Sequence, residues 1–337
     1  MSVNEKNATE EIDVPPVPRV LFIGLDYHDY TKEIVLALER HGYKVDFHDI
    51  QPGTPKLKLI RKFFKAGYEN ALDKYHESII LKSEASNYDY VLFLQAHQFR
   101  ACSLERLKNL HKNATFVLYN WDSVQNHNYL DRLQYFDRKL TFDPIDAAVH
   151  GQDYLPLFCL NELRDAKRSN VDSAIYFVGN IVNPKRYEII QKFKLFCRGR
   201  GIPFRYFLRA STHSYLSTFR AGFIPFDISL FSLSSRQIRE LMDSASTVFD
   251  FANHEQQGYT MRVIENLCAG KKIISNNQRL LSEDFYSPDR IFVYQSNDFD
   301  GIEDFINTAL EDPYKSFPQF HIDNFAARLL GSNEFTV

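Results

Sequence analysis

The sequence predicts an α/β protein of two halves, each a parallel sheet covered on both faces by helices. Three observations carry this. First, short, nearly continuous apolar runs alternate with amphipathic stretches along the chain, the pattern of βαβ units. Second, a polar and charged stretch without apolar period, residues 161–172, separates two such series. Third, residues 245–275 hold the whole pattern in one unit. There ASTVFD reads as a strand, Gly258-Tyr259-Thr260 as a glycine turn into a helix, Ala269-Gly270 as its stop, and KIIS as the next strand.

The first eighteen residues are polar and acidic, end in prolines, and read as a disordered leader without an apolar signal core. Residues 19–25 (RVLFIGL) form a strand of the fully buried kind, followed by Asp26, Tyr27, His28 and Asp29. Residues 31–41 are an amphipathic helix stopped by Gly42, and residues 43–48 a second strand. This opening has no GxGxxG, which argues against a dinucleotide site at the N-terminus. Residues 55–67 interleave Lys56, Lys58, Arg61, Lys62 and Lys65 with Leu57, Leu59, Ile60, Phe63 and Phe64. That is a basic amphipathic helix, either of the membrane-surface type or with its apolar face joining the core. Strands follow at 88–94, 115–119 and 139–142, and 147–150 is a candidate further strand. Helices are expected at 103–112 and 130–136.

In the second half, residues 174–179 begin the sheet, with Gly179-Asn180 read as a turn. Lys185-Arg186 opens a helix over 187–198, stopped by Gly199 and Gly201. Residues 204–208 are a strand ending at Arg209. Residues 213–222 carry no clear period, and 236–244 are helical. After the 245–275 unit come a strand at 290–294, a helix at 301–310 and a candidate terminal helix at 317–330.

Composition bounds the function. A chain of 337 residues suggests two domains, and 29 Phe with 19 Tyr supply ample core. A net charge of −3 gives no electrostatic reason to expect nucleic acid. The four cysteines (Cys102, Cys159, Cys197, Cys268) lie far apart without CxxC or Cys/His metal spacing, and read as reduced structural thiols in a cytosol. No stretch reaches the roughly 18 apolar residues of a spanning helix. P-loop, GxSxG, Ser-His-Asp and Cys-His signatures are absent.

Two groups of residues carry candidate chemistry. A glycine turn into a helix is an anion site, because free N–H groups and the helix dipole favour phosphate. Arg262, in the first turn, suits bidentate pairing with a diphosphate, and Glu265 stands one turn later. A solvated Arg262–Glu265 pair is the plainer alternative. In the first half, consecutive strands end in Asp26 and His28, in His97 and in Asp122. Doubly wound sheets bind ligands at such carboxyl ends.

The segment QGYTMRVIENLCAGKKIIS with Asn276-Asn277 resembles the nucleotide-binding segment of GT-B glycosyltransferases, most of all the bacterial lipopolysaccharide and capsular polysaccharide type. That type carries Gln-x-Gly-hydrophobic-Thr-x-Arg, then Glu, then Gly-Lys-Lys and a strand into Thr/Asn. The likeness extends to Asp284-Phe285-Tyr286 and to Phe223-Ile224-Pro225-Phe226. Weaker echoes are Asn120-Trp121-Asp122, Phe142-Asp143-Pro144 with Asp146, and Tyr154-Leu155-Pro156-Leu157. Together they cover about residues 19–300. Gln257 and Tyr259 depart from the usual pattern, which bears on the base or sugar pocket.

The resemblance implies the GT-B fold, two Rossmann-like domains facing a central cleft. An acceptor domain would span 19–165 and a nucleotide-sugar domain 166–310, with a terminal helix, 311–337, returning to the first. It implies a nucleotide-diphosphate sugar as donor, no prosthetic group, and transfer without a metal. The donor would be held by Gly179, Arg186, Arg209, Gly258, Tyr259, Thr260, Arg262 and Glu265, with Glu265 on the ribose. Asp26, His97 and Asp122 are the candidates for activating an acceptor hydroxyl. Asp298-Phe299-Asp300 reads as surface acid, not as a metal motif. The implied acceptor is a cell-surface glycan or lipid-linked sugar, and the place is the cytoplasm, peripheral on the inner membrane face through Lys56, Lys58, Arg61, Lys62, Phe63, Phe64 and Lys65. A sugar-nucleotide epimerase of similar architecture and a non-catalytic module that kept the fold are the competing readings.

Overall fold

The computed structural model describes residues 16–27, 29–52, 64–164, 173–251 and 258–331. His28, Gln257 and the basic segment from Lys56 to Phe63 lie outside the described residues, as does the leader up to residue 15. Two six-stranded sheets form the frame, and every strand pair in both is parallel.

The first sheet contains β1 (Arg19–Gly24), β2 (Lys44–Asp49), β3 (Tyr90–Leu94), β4 (Thr115–Asn120), β5 (Arg138–Thr141) and β6 (Asp153–Tyr154), in the order β2-β1-β3-β4-β5-β6. Its helices are α1 (Tyr30–Arg40), α2 (Lys65–Ser83), α3 (Ala101–Leu110) and α4 (Pro144–His150), with a 3₁₀ turn at Leu130–Tyr135. The chain crosses through α5 (Asn161–Arg164). The second sheet contains β7 (Ile175–Ile181), β8 (Phe204–Ala210), β9 (Ile228–Ser229), β10 (Thr247–Phe249), β11 (Lys272–Ser275) and β12 (Ile291–Val293), in the order β12-β11-β10-β7-β8-β9. Around it pack α6 (Pro184–Gly199), α7 (Thr212–Arg220), α8 (Ser235–Asp243), α9 (Met261–Cys268) and α10 (Ile302–Asn307). A terminal helix, α11 (Ile322–Leu330), lies against α1 and β4 of the first sheet. There Arg40 pairs with Asp323 at 2.6 Å and the Phe325 ring meets Tyr119 edge-on.

Each sheet reverses direction once. The chain leaves β1 to add β2 on one side and returns to add β3 on the other. In the second sheet it leaves β7 for β8 and returns to β10. These two switch points are the crevices where open α/β sheets take ligands. Three apolar cores hold the frame. One fills the outer face of each sheet, and the third runs without a break from Val20 and Leu92 through Phe142, Phe158 and Phe325 to Val263 and Ile273, so it spans both halves.

Several local expectations are corrected. Residues 147–150 are helical, not a strand, because Asp143 caps α4 by accepting from the N–H groups of Ile145 and Asp146, and Pro144 sits in its first turn. Gly179 and Asn180 do not turn; β7 continues through them to Ile181, paired along its length with β8. Within 213–222, residues up to Arg220 belong to a helix, α7, because Ser211 caps it. The stretch from residue 161 opens with a helical turn and is not structureless throughout. Helix α2, 19 residues long, follows the basic segment. Among the described residues no helix is long and apolar enough to cross a membrane.

Candidate functional site

At the switch point of the second sheet stands Asp250, at the end of β10 and fully buried. Its Oδ1 accepts from Thr260 Oγ1 (2.9 Å) and from Arg262 Nη1, and its Oδ2 from Ser275 Oγ (2.9 Å). Arg262 also donates from Nη2 to the carbonyl of Val178 on β7 (2.8 Å), so its guanidinium bridges β7 and β10. Thr260 is the N-cap of α9 and fixes the start of that helix. Gly179 makes the room: a Cβ there would stand 2.7 Å from the Phe177 ring and 3.1 Å from Arg262 Nη2.

Two further arginines stand on the neighbouring elements. Arg186 lies in the first turn of α6, between the rings of Phe177 and Phe251, each 5.9 Å from its guanidinium carbon. Its Nε is buried and has no hydrogen-bond partner among the described residues, and it makes no ion pair there. Burial, then the charge of Arg262, pulls its pKa down to about 10. Arg209, on β8, reaches Asn180 Oδ1 at 3.3 Å and likewise keeps a buried Nε unpartnered. Arg186 and Arg262 thus share the field of one carboxylate, Asp250.

The other motif residues do different work. Gly258 faces the first half: a Cβ would meet the Phe142 ring at 2.5 Å and its carbonyl oxygen at 2.8 Å. Its N–H donates to Asp143 Oδ2 at 3.2 Å. The glycine therefore permits contact between the halves. Tyr259 is buried, packs edge-on against Phe285 and donates to Glu283, so it belongs to the core. The two lysines of Gly-Lys-Lys are structural. Lys271 Nζ donates to the Ala245 carbonyl (2.6 Å), and the buried Lys272 caps the C-terminus of α10 by donating to the carbonyls of Phe305 and Thr308.

Glu265 does not pair with Arg262. It accepts from Tyr30 Oη at 2.7 Å, across the cleft from α1, and burial pushes its pKa up to about 7. Tyr27 stands beside that pair, stacked on Tyr30 and edge-on to Trp121. Burial raises its pKa first, and the charges of Arg209, Asp122 and Glu265 all act on it. Tyr27 therefore marks where the two sheet ends face each other.

The end of the first sheet is less tightly tied. Asp122, after β4, accepts from Gln95 Nε2 at 2.6 Å. Gln95, at φ 65°, holds the left-handed backbone that a non-glycine residue adopts only with support. His97 stacks face to face on His127, ring centroids 4.2 Å apart. Burial, then the charge of His127, lowers its pKa to about 4, which leaves it neutral at pH 7. Asp26 is exposed, and its N–H donates to Asp49 Oδ1 at 3.3 Å.

The structure thus gathers Gly179, Arg186, Arg209, Thr260 and Arg262 at one crevice, with Glu265 and Asp122 facing its mouth. Gly258 and Tyr259 lie in packing contacts beside it. Sequence reasoning passed over Asp250, Tyr27, Tyr30, Gln95 and His127. Asp250 carried the same signal as Asp26 and Asp122, a carboxylate closing an apolar run.

No family model and no curated protein matches the chain. Solved structures share its fold across nearly its whole length at low identity. An α-glucosyltransferase in complex with UDP and a mismatched 13-mer DNA has TM-score 0.58 at 12% identity, over 93% of this chain and 94% of that one. The apo structure of OtsA has TM-score 0.61 at 8% identity, over 95% and 100%. Sucrose-phosphate synthase from Thermosynechococcus elongatus has TM-score 0.52 at 10% identity, over 93% and 94%. The fold is GT-B.

Proposed function

We propose that the protein is a glycosyltransferase that moves a sugar from a nucleoside-diphosphate donor to an acceptor hydroxyl. The observation that carries this is the surplus of cations at the switch point of the second sheet. Arg262 already pairs with the buried Asp250, Arg186 beside them makes no ion pair among the described residues and keeps a buried Nε unpartnered, and Arg209 stands on the neighbouring strand against Asn180. Two guanidiniums drawn out of water beside one carboxylate are costly, and a departing diphosphate would supply the further negative charge. Such a cation set stabilises the leaving group without a metal, so transfer is proposed to be metal-independent. Glu265 is proposed to accept from ribose hydroxyls once Tyr30 yields. The α-glucosyltransferase of the same fold was solved with UDP, which makes a uridine donor the first to try.

On the acceptor side, Asp122 is the proposed base. Its charge, like those of Arg209 and Glu265, acts on Tyr27, and Gln95 donates to it. His97 and Asp26 then position the acceptor. Inversion would need that base; retention would leave Asp122 to orient the sugar. The sequence motif favours a cell-surface glycan or lipid-linked acceptor of the lipopolysaccharide or capsule kind, and a peripheral place at the membrane through the basic segment at 56–65.

The test is release of nucleoside diphosphate from a panel of nucleotide sugars, with glycan and lipid-linked acceptors, in EDTA and in magnesium. Acceptor-dependent release in EDTA, lost in Arg262→Ala, supports the reading. A changed sugar without an acceptor would favour an epimerase. Binding without turnover of any kind would favour a non-catalytic module.

A further inference from the structure

Cys159, Cys268 and His321 come from three distant parts of the chain, yet their donor atoms all lie within 4.8 Å of one another, and all three residues are buried. Cys159 ends the chain's path through the first half. Cys268 closes α9, the helix that carries Arg262. His321 precedes α11. The backbone brings the first and third together: Cys159 N–H donates to the Phe320 carbonyl (2.7 Å) and Ile322 N–H to the Cys159 carbonyl (3.1 Å), a parallel bridge that sets Cys159 beside His321. Among the described residues this is the one such group of His, Cys, Asp or Glu.

The geometry points to a zinc site, and we propose that these three residues bind one Zn²⁺ that locks the two halves and the terminal helix together. Two sulfurs and one imidazole are a borderline-soft donor set, which selects zinc over magnesium or calcium. Charge decides the oxidation state. Two thiolates, a neutral imidazole and a divalent cation sum to zero, the form of an ion site that apolar surroundings tolerate; a monovalent copper would leave a net negative charge buried. Zinc–sulfur bonds of about 2.3 Å at tetrahedral angles put sulfurs roughly 3.8 Å apart, so the donors must close by at most about 1 Å. A water molecule completes the tetrahedron.

Binding displaces two thiol protons to solvent and involves no change of redox state. Ligation by thiolate couples metal binding to loss of the thiol protons, so uptake should rise with pH. The site stands at the C-terminal end of α9. Cys268 lies six positions beyond Arg262, about 9 Å along the helix, so the ion would set the position of the arginine helix without taking part in its chemistry.

The full chain, purified reduced, through a tag that binds no metal and without chelators, is analysed for zinc and then stripped and titrated with Zn²⁺ and Co²⁺ alone. One equivalent of zinc per chain is expected. The cobalt form should show thiolate-to-cobalt charge transfer and the intense visible bands of a tetrahedral site. Both should persist in Cys102→Ser, which changes the exposed cysteine, and be lost in Cys159→Ser and Cys268→Ser variants whose circular dichroism shows them folded. Because a ligand variant can fail to fold, the wild-type result stands by itself. Reduced wild-type protein that takes up no zinc or cobalt overturns the proposal. So does a Cys159–Cys268 disulfide that persists in reducing buffer.

Discussion

The two ends of the cleft are built on different principles. On the second sheet, Asp250 is fully buried and takes three side-chain hydrogen bonds, so Arg262 and Thr260 are held before any ligand arrives. On the first sheet, Asp122 has one named side-chain partner, Asp26 is exposed, and His97 rests on another histidine. The difference matches two chemical tasks. A diphosphate is the same in every donor and rewards a preorganised cationic seat. An acceptor varies, and a site tied down by fewer bonds is easier to reshape. Tyr30–Glu265 joins the two ends by one hydrogen bond.

The largest effect should come from Asp250→Asn, which leaves Arg262 buried without its counter-charge. Breaking a buried pair on one side costs about 3–5 kcal/mol, so chemical denaturation should show most of that loss. Asp122→Asn, at the other end, should leave stability within about 1 kcal/mol while turnover falls. Similar losses of stability in both variants would erase the contrast between the ends.

Next in size is Arg186→Met. Removing a desolvated cation that makes no ion pair among the described residues should leave the free protein as stable as before or more so, while affinity for a nucleoside diphosphate drops about 10–100-fold, the worth of one or two charged hydrogen bonds. A thermal melt and a binding titration on the same sample check both halves. A destabilised variant with unchanged affinity would make Arg186 a packing residue.

The ends should also differ in pH dependence. Glu265 has a folded pKa of about 7 against its ordinary 4.5. The native state holds that proton more tightly, so its contribution is full below pH 4.5 and is lost as pH rises through 7. His97 has a folded pKa of about 4 against 6.5. Its contribution is full above pH 6.5 and is lost as pH falls through 4. Unfolding free energies from pH 4 to 8 should therefore lose their alkaline decline in Glu265→Gln and part of their acid decline in His97→Phe. Unaltered profiles would mean that neither environment is as dry as the structure places it.

The smallest effect is expected of Tyr30→Phe, about 1 kcal/mol of stability. Its sign on binding is more telling. If ribose must displace the Tyr30 hydroxyl from Glu265, the variant should bind nucleotide somewhat more tightly, which a titration against wild type would read.

Much of the frame could be read from the chain. Runs such as RVLFIGL and KIIS are long enough and apolar enough to be buried strands wherever they pack. Helix α2 escaped because two of its core-facing positions are His76 and Ser83, polar types that blur its period; His76 reaches the Ile50 carbonyl at 2.9 Å and Ser83 the Ile80 carbonyl at 2.7 Å. The apolar Ala147-Ala148-Val149 run masked the Asp143-Pro144 cap, which the structure obeys.

At the site, Arg262 and Thr260 could be found because their spacing is local. Tyr30 and Glu265, 235 residues apart, have no local signal that joins them. Gly258 was visible as a glycine, yet its reason, the approach of Phe142 from the other half, was not. Cysteine spacing along the chain gave no hint of a cluster made by a bridge between Cys159 and His321.

The cation surplus around Asp250 is tested most directly by calorimetric titration of UDP, GDP and ADP into wild type, Arg186→Met and Arg262→Ala, all in EDTA. Binding of one nucleotide by wild type without metal, weakened at least about tenfold in both variants, is the expected result. Equal affinity in all three proteins, or binding that appears only when magnesium is restored, would contradict a metal-free diphosphate seat at the switch point of the second sheet.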